Sequence, residues 1–207
     1  MKTTQRSTAH SPEQISESLN ANSWLVIENF LPQVLFEGLC HQARSLPLNA
    51  AQIGSRHALK RDESVRQDRT CWLEEDSLDP HQLGYFSAMR ALMSAFNAHL
   101  WLNLTHLEAH FALYLAHQFY ARHLDATQLN NQRIVSTVYY LNPSWHAEDL
   151  GALRLYPPQR SSVDILPTPN RLAIFLSESV EHEVLAPLKP RYSIAGWLRR
   201  RDDRAQL

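Results

Sequence analysis

The chain has 207 residues, 44% of them hydrophobic and 20% charged, with a formal net charge of −1. These values suit one globular domain with a sizeable core and exclude the strongly basic field of a nucleic-acid-binding domain. Cys40 and Cys71 form neither a disulfide framework nor a zinc-ligand pattern. With no apolar run long enough for a bilayer and no signal-peptide core in Met1–His10, a cytoplasmic setting without membrane association is expected.

Residues 1–10 read as a disordered lead-in and residues 11–207 as a single domain. Ser11-Pro12-Glu13-Gln14 predicts a helix start, with Ser11 as cap, Pro12 in the first turn and Gln14 completing a capping box. Trp24 to Ile27 is a short buried strand, ended by Asn29 and Pro32. Leu35, Phe36, Leu39 and Cys40 then follow helical spacing over 34–44. Residues 51–70 are polar and lack a period. They read as a long loop or irregular hairpin facing substrate. From Pro80 to Leu100 the residues Phe86, Met89, Met93, Phe96 and Leu100 make one apolar stripe, which core packing explains.

Beyond Leu100 come short segments rich in β-branched and aromatic residues, at 107–115, 133–141, 153–156, 163–166, 171–176, 183–185 and 192–198. Seven or eight short strands behind a helical half predict an α+β, mainly β fold, a sandwich or jelly roll over about 105–200 backed by N-terminal helices.

His123-Leu124-Asp125 could place an imidazole and a carboxylate on one face of an extended strand. That is two thirds of a 2-His-1-carboxylate triad, which leaves positions open on Fe(II). Alone the motif means little, since about half of one match is expected by chance, and a surface pair is then the favoured reading. His182 lies far downstream, where a jelly roll returns beside its starting sheet. Nine residues later Arg191 heads a strand whose one face reads Arg191, Ser193, Ala195, Trp197. A guanidinium pointing inward must be paired. A carboxylate co-substrate or an internal Glu or Asp could each pair it.

The stretch Phe119 to Asp125, then Arg133 to Tyr156, then Phe175 to Glu178, His182-Glu183-Val184 and Arg191-Tyr192-Ser193 resembles the prolyl 4-hydroxylase type of Fe(II)/2-oxoglutarate-dependent dioxygenase. The likeness is greatest to hypoxia-type prolyl hydroxylases and their bacterial relatives. Its most specific parts are Tyr139-Tyr140-Leu141-Asn142 with Trp145, and the step from His182 to Arg191. The resemblance implies a double-stranded β-helix, with His123, Asp125 and His182 as metal ligands. It implies that Arg191 binds the distal carboxylate of 2-oxoglutarate, helped by Tyr140, with Tyr114 and Ser193 beside it. Leu150-Gly151 replaces a more usual Gly-Gly, and Ala195 stands where some relatives place a hydroxyl. Fe(II), 2-oxoglutarate and O2 are the implied reactants, ascorbate an accessory one, and a protein or peptide the implied substrate.

The expected reaction hydroxylates a C–H bond, most simply of a prolyl residue in a cytoplasmic protein, and releases succinate and CO2. Three other readings stay open at this stage. The same chemistry could act on a free amino acid, the fold could hold a metal for a non-oxidative hydrolase or sensor, or the chain could be an inactive binding module. Tyr120, Tyr139 and Tyr192 read as structural, and His99, His106, His110 and His117 as ordinary histidines.

Overall fold

The computed structural model describes residues 11–51, 62–74, 76, 79–126, 132–158 and 160–201. Ser11 caps helix α1 (Pro12–Asn22) reciprocally: the Gln14 N–H donates to the Ser11 hydroxyl, and the Ser11 N–H to the Gln14 side chain. Strand β1 (Trp24–Ile27) and helix α2 (Gln33–Ser45) follow. Next, β2 (Asn49–Ala50) pairs antiparallel with β3 (Arg69–Trp72), so the segment expected as a loop or irregular hairpin ends in a short ladder. Its residues 52–61 lie outside the described residues, as does the lead-in over 1–10. The Asp79 carboxylate caps helix α3 (Pro80–Leu100) by accepting from the N–H groups of His81 and Gln82. The expected stripe of α3 packs inward, with Phe86, Met89 and Phe96 buried and Tyr85 and Leu92 widening it.

Eight strands follow among the described residues: β4 (His106–Tyr114), β5 (Tyr120–His123), β6 (Arg133–Tyr140), β7 (Leu153–Tyr156), β8 (Val163–Ile165), β9 (Leu172–Leu176), β10 (Glu181–Val184) and β11 (Arg191–Arg199). They form two antiparallel sheets, one ordered β1-β9-β6-β11-β4-β3-β2 and one β5-β10-β7-β8. From β4 onward the chain passes back and forth between the sheets, as a double-stranded β-helix does.

Both faces of the large sheet are covered, and period-two alternation sorts its side chains. Phe111, Val135, Tyr139, Ile174, Ile194 and Leu198 face outward and join the three helices in one apolar core. Their neighbours Ala112, Tyr114, Tyr140, Ala173 and Phe175 face the small sheet, where they meet Leu153, Leu155 and Val184. Each fully buried large apolar side chain contributes ~1.5–3 kcal/mol, so the helical side holds the sheet rigid while the inner layer leaves space. No helix of the described residues is long and apolar enough to cross a membrane.

The turn into β9 is tied to the helical layer by Asn170, whose φ of 56° is one that Asn tolerates. Its buried side-chain Oδ1 accepts from the Leu31 N–H (3.0 Å) and the Tyr139 hydroxyl (2.7 Å), and its side-chain Nδ2 donates to the Leu31 carbonyl (2.8 Å). Asn170→Ala would leave the Leu31 peptide groups unpaired. Urea denaturation should therefore show a loss of ~2–4 kcal/mol; a loss well under ~1 kcal/mol would contradict this account of the tie.

Candidate active site

The small sheet brings the two predicted histidines together. Strand β10 pairs antiparallel with β5, and His182 stands directly opposite His123. Strand β5 stops at His123, and Asp125 lies in the bend that follows, so His123-Leu124-Asp125 is a strand end and turn rather than extended throughout. The cause is visible one residue on: the Ala126 N–H donates to the Ser177 carbonyl, which carries the chain away from β10. That turn brings the Asp125 carboxylate between the imidazoles, 3.6 Å from His123 Nε2 and 3.5 Å from His182 Nε2.

One atom from each of these three residues lies within 4.8 Å of the others. His123 Nδ1 faces the Ala121 carbonyl at 2.7 Å, and His182 Nδ1 faces the Val180 carbonyl at 3.4 Å. Carbonyls only accept, so each Nδ1 carries the proton and each Nε2 presents a lone pair. Burial pushes the His182 imidazole down to about 4, against the opposing pull of Asp125. Burial would raise the Asp125 carboxyl, but His182, His123 and the Ser136 hydroxyl hold it well below the usual carboxylate range. In this tautomer the two Nε2 atoms and the Asp125 carboxylate point at one place. This donor set could hold a divalent cation. Ser136 Oγ donates to Asp125 Oδ2 at 2.7 Å and is itself bonded to Ser177 Oγ at 2.8 Å. These two hydroxyls were not singled out in the sequence.

Deeper between the sheets lies Arg191, 1% exposed. Strand register sets it opposite Tyr114 on β4, and Ser193 opposite Tyr140 on β6. Arg191 Nε donates to the Gly151 carbonyl at 2.9 Å, and Nη1 reaches Ser193 Oγ at 3.5 Å. Its Nη2 and the Tyr140 hydroxyl are buried without a hydrogen-bond partner. The guanidinium carbon lies 5.1 Å from the Tyr140 ring centre and 5.3 Å from that of Tyr114. Burial pushes both phenols up, so both remain neutral donors. Among the described residues no Asp or Glu pairs with Arg191, so the internal salt bridge left open by the sequence is not made.

The Tyr-Tyr-Leu-Asn run earns its place residue by residue. Tyr139 faces out to Asn170, Tyr140 faces in, and the Asn142 side-chain Oδ1 accepts from the Tyr192 N–H at 2.8 Å, fastening the end of β6 to the start of β11. Trp145 Nε1 donates to the Leu150 carbonyl at 2.9 Å, steadying the segment that presents the Gly151 carbonyl. Gly151 has φ 72°, and a Cβ there would meet Pro187 Cβ at 2.7 Å, so glycine is required.

Several lining residues escaped the sequence reading. The Tyr120 ring stacks on His123, 3.7 Å between centres and 18° from parallel, with the Arg66 guanidinium 4.8 Å from its centre. Arg66 in turn grips buried Asp68 at 2.6 and 2.8 Å. His110 lines the same cavity, where Trp72 and Trp197 flank it. Period two could have found His110, because it lies two and four residues before the inward-facing Ala112 and Tyr114 on β4. His117 lies in a turn with φ 68°, away from the triad.

A jelly roll with a His-x-Asp…His set converging between its sheets defines a class, the mononuclear non-haem metal enzymes. Residues 109–199 match the family model of the 2OG-Fe(II) oxygenase superfamily. A solved prolyl-4-hydroxylase from Pseudomonas putida is 34% identical with a TM-score of 0.83, covering 92% of this chain and 99% of that one. A prolyl hydroxylase from Trichoplax adhaerens, solved with a hypoxia inducible factor oxygen degradation domain peptide fragment, is 28% identical with a TM-score of 0.81, over 91% of this chain and 88% of that one. Human Egl nine homolog 1 is 28% identical over 94% of this chain and 48% of its own length. The chain spans less than half the length of the curated relatives it matches. It belongs to the 2OG-Fe(II) oxygenase superfamily, a family of Fe(II)- and 2-oxoglutarate-dependent dioxygenases, and within it to the prolyl hydroxylase type.

Ser136→Ala removes the hydroxyl that orients Asp125. Losing such a support costs roughly 10–100-fold in metal affinity, which calorimetric titration with Mn(II) under anaerobic conditions would read. Affinity unchanged within about twofold would mean that the turn alone orients the carboxylate.

Proposed function

We propose that this chain is a dioxygenase that hydroxylates a prolyl residue of a cytoplasmic protein, with residues 11–207 acting as one oxygenase unit. His123, Asp125 and His182 hold the Fe(II), and Arg191 with Tyr140, Tyr114 and Ser193 receives the distal carboxylate of 2-oxoglutarate. The observation that carries this reading is the buried guanidinium of Arg191, which keeps an unused N–H beside an unused tyrosine hydroxyl. A carboxylate is the group that both donors fit. A hydrolase or sensor on the same fold has no need of such an anchor.

Iron(II), when bound, would supply the dioxygen chemistry: 2-oxoglutarate loses CO2 and gains one oxygen atom of O2 to become succinate, and the other oxygen atom enters a substrate C–H bond. The chain's own side chains do the rest. Asp125 stays ionised and held by Ser136. The two Nδ1–H groups donate to backbone carbonyls, which fixes both imidazole tautomers. Arg191 sets how far the co-substrate reaches toward the triad, while the apolar wall of Leu153, Phe175 and Val184 limits water. Ascorbate would serve as an accessory reductant. Two free cysteines suit a reducing compartment, and the peptide held by the Trichoplax relative supports a protein substrate.

His182→Ala and Asp125→Ala should each abolish iron-dependent succinate formation, and Arg191→Ala should raise the KM for 2-oxoglutarate by roughly 30-fold or more (~2 kcal/mol). Succinate formation that persists in either ligand variant would overturn the metal assignment. An unchanged KM in the arginine variant would move the anchor elsewhere.

A further inference from the structure

The substrate half of the cavity contains a polar group that the chemistry above leaves unused. His110 is 2% exposed and stands on β4 opposite Ala195, in the row above Ser193 and Ala112. The Trp72 ring lies edge-on to it at 5.1 Å, and Trp197 lies 5.4 Å away on another side. Trp72 is 56% exposed, so this aromatic corner stands at the outer end of the site, remote from Arg191 along β11. His110 Nδ1 lies 3.2 Å from the Phe111 carbonyl and must donate to it, which makes Nε2 the acceptor nitrogen. Nε2 has no hydrogen-bond partner among the described residues, although His110 lines the cavity. Burial, with Arg66 and Arg133 nearby, pushes this imidazole down to about 4, so it stays an uncharged acceptor.

The charges around it narrow what can approach. Arg66, Arg133 and Arg191 line the cavity against only two carboxylates. Asp68 is already gripped by Arg66, and Asp125 lies between the two imidazoles with Ser136 on one oxygen. Arg133 lies over the Trp197 ring at 3.6 Å, beside the corner itself, and Glu108 pairs with it at 3.5 Å. An ammonium group entering here would find every nearby carboxylate already engaged, Asp68 by Arg66 and Glu108 by Arg133, whereas a neutral N–H would meet an acceptor that lacks a partner.

We propose that His110 determines specificity by accepting a hydrogen bond, through Nε2, from an uncharged amide N–H of the substrate, so the cavity takes a peptide in preference to a free amino acid. This inference rests on the hydroxylase reading of the site and sharpens it. Ala195 opposite His110 leaves room for the amide, and the indole of Trp72 gives it an apolar flank.

The test is nitrogen NMR on protein labelled with 15N-histidine and loaded with diamagnetic Zn(II) and 2-oxoglutarate, the His110 signals being assigned by their loss in His110→Gln. Three probes are compared: N-acetyl-L-prolinamide, its N,N-dimethylamide, and free L-proline. The expected result is a His110 Nε2 shift with the first probe, which binds up to about tenfold tighter than the other two, the worth of one good hydrogen bond. An Nε2 signal that none of the probes moves up to its solubility limit, or that all move equally at equal affinity, overturns the proposal. Iron-dependent succinate formation by the wild type reports on the underlying reading separately. Its absence, with the selective Nε2 shift intact, would sink the hydroxylase and leave the amide acceptor standing.

Discussion

Arg191 is a guanidinium held between two sheets, and a guanidinium cannot shed its charge to escape burial. An isolated buried charge is among the costliest features a fold can contain, so a protein that keeps one must hold it firmly and give it a purpose. Here the hold comes from strand register: β11 is clasped between β4 and β6 along nearly its whole length. The Gly151 carbonyl takes one N–H, Ser193 stands at the limit of reach for a second, and two phenol rings flank the group. What remains is donor capacity with a defined direction.

The rest of the architecture makes that arrangement tolerable. The outward face of the large sheet is packed against three helices, and this larger core stabilises the sheet from behind. Because stability is supplied there, the inward face can carry Arg191, His182, Asp125 and Ser136 in place of close-packed apolar groups. The two polar ends of the cavity are complementary. One offers unpartnered N–H and O–H donors, and the other offers three convergent acceptors. A dianion with two carboxylate ends and a divalent cation would together neutralise both, and neither pole is satisfied by the chain alone.

Much of this was legible in the sequence because it depends on local rules. The capping box at Ser11, the stripe along α3 and the inward run of Arg191, Ser193, Ala195 and Trp197 all follow from periodicity and capping chemistry. The nine-residue step from His182 to Arg191 spans a strand, a turn and the next strand, so both residues arrive inside the barrel. What escaped was fixed by pairing across the fold. Asp125 turns inward because the Ala126 N–H reaches Ser177, and Ser136 supports it from β6. Tyr120 joins the site by stacking on His123, a contact that no spacing along the chain announces. Arg66 and Asp68 belong to a stretch without a period, and only its closure beside Tyr120 gives them a place at the cavity.

The central claim is that the acceptor triad and the Arg191 pocket form one site for Fe(II) chelated by 2-oxoglutarate. The direct test is to add Fe(II) and then 2-oxoglutarate to the metal-free protein without oxygen, and to follow the visible absorption. The account predicts a metal-to-ligand charge-transfer band that appears only when both are present and requires Asp125 and Arg191. Iron that binds with no band on adding 2-oxoglutarate would contradict it, because metal and co-substrate would then not share the site.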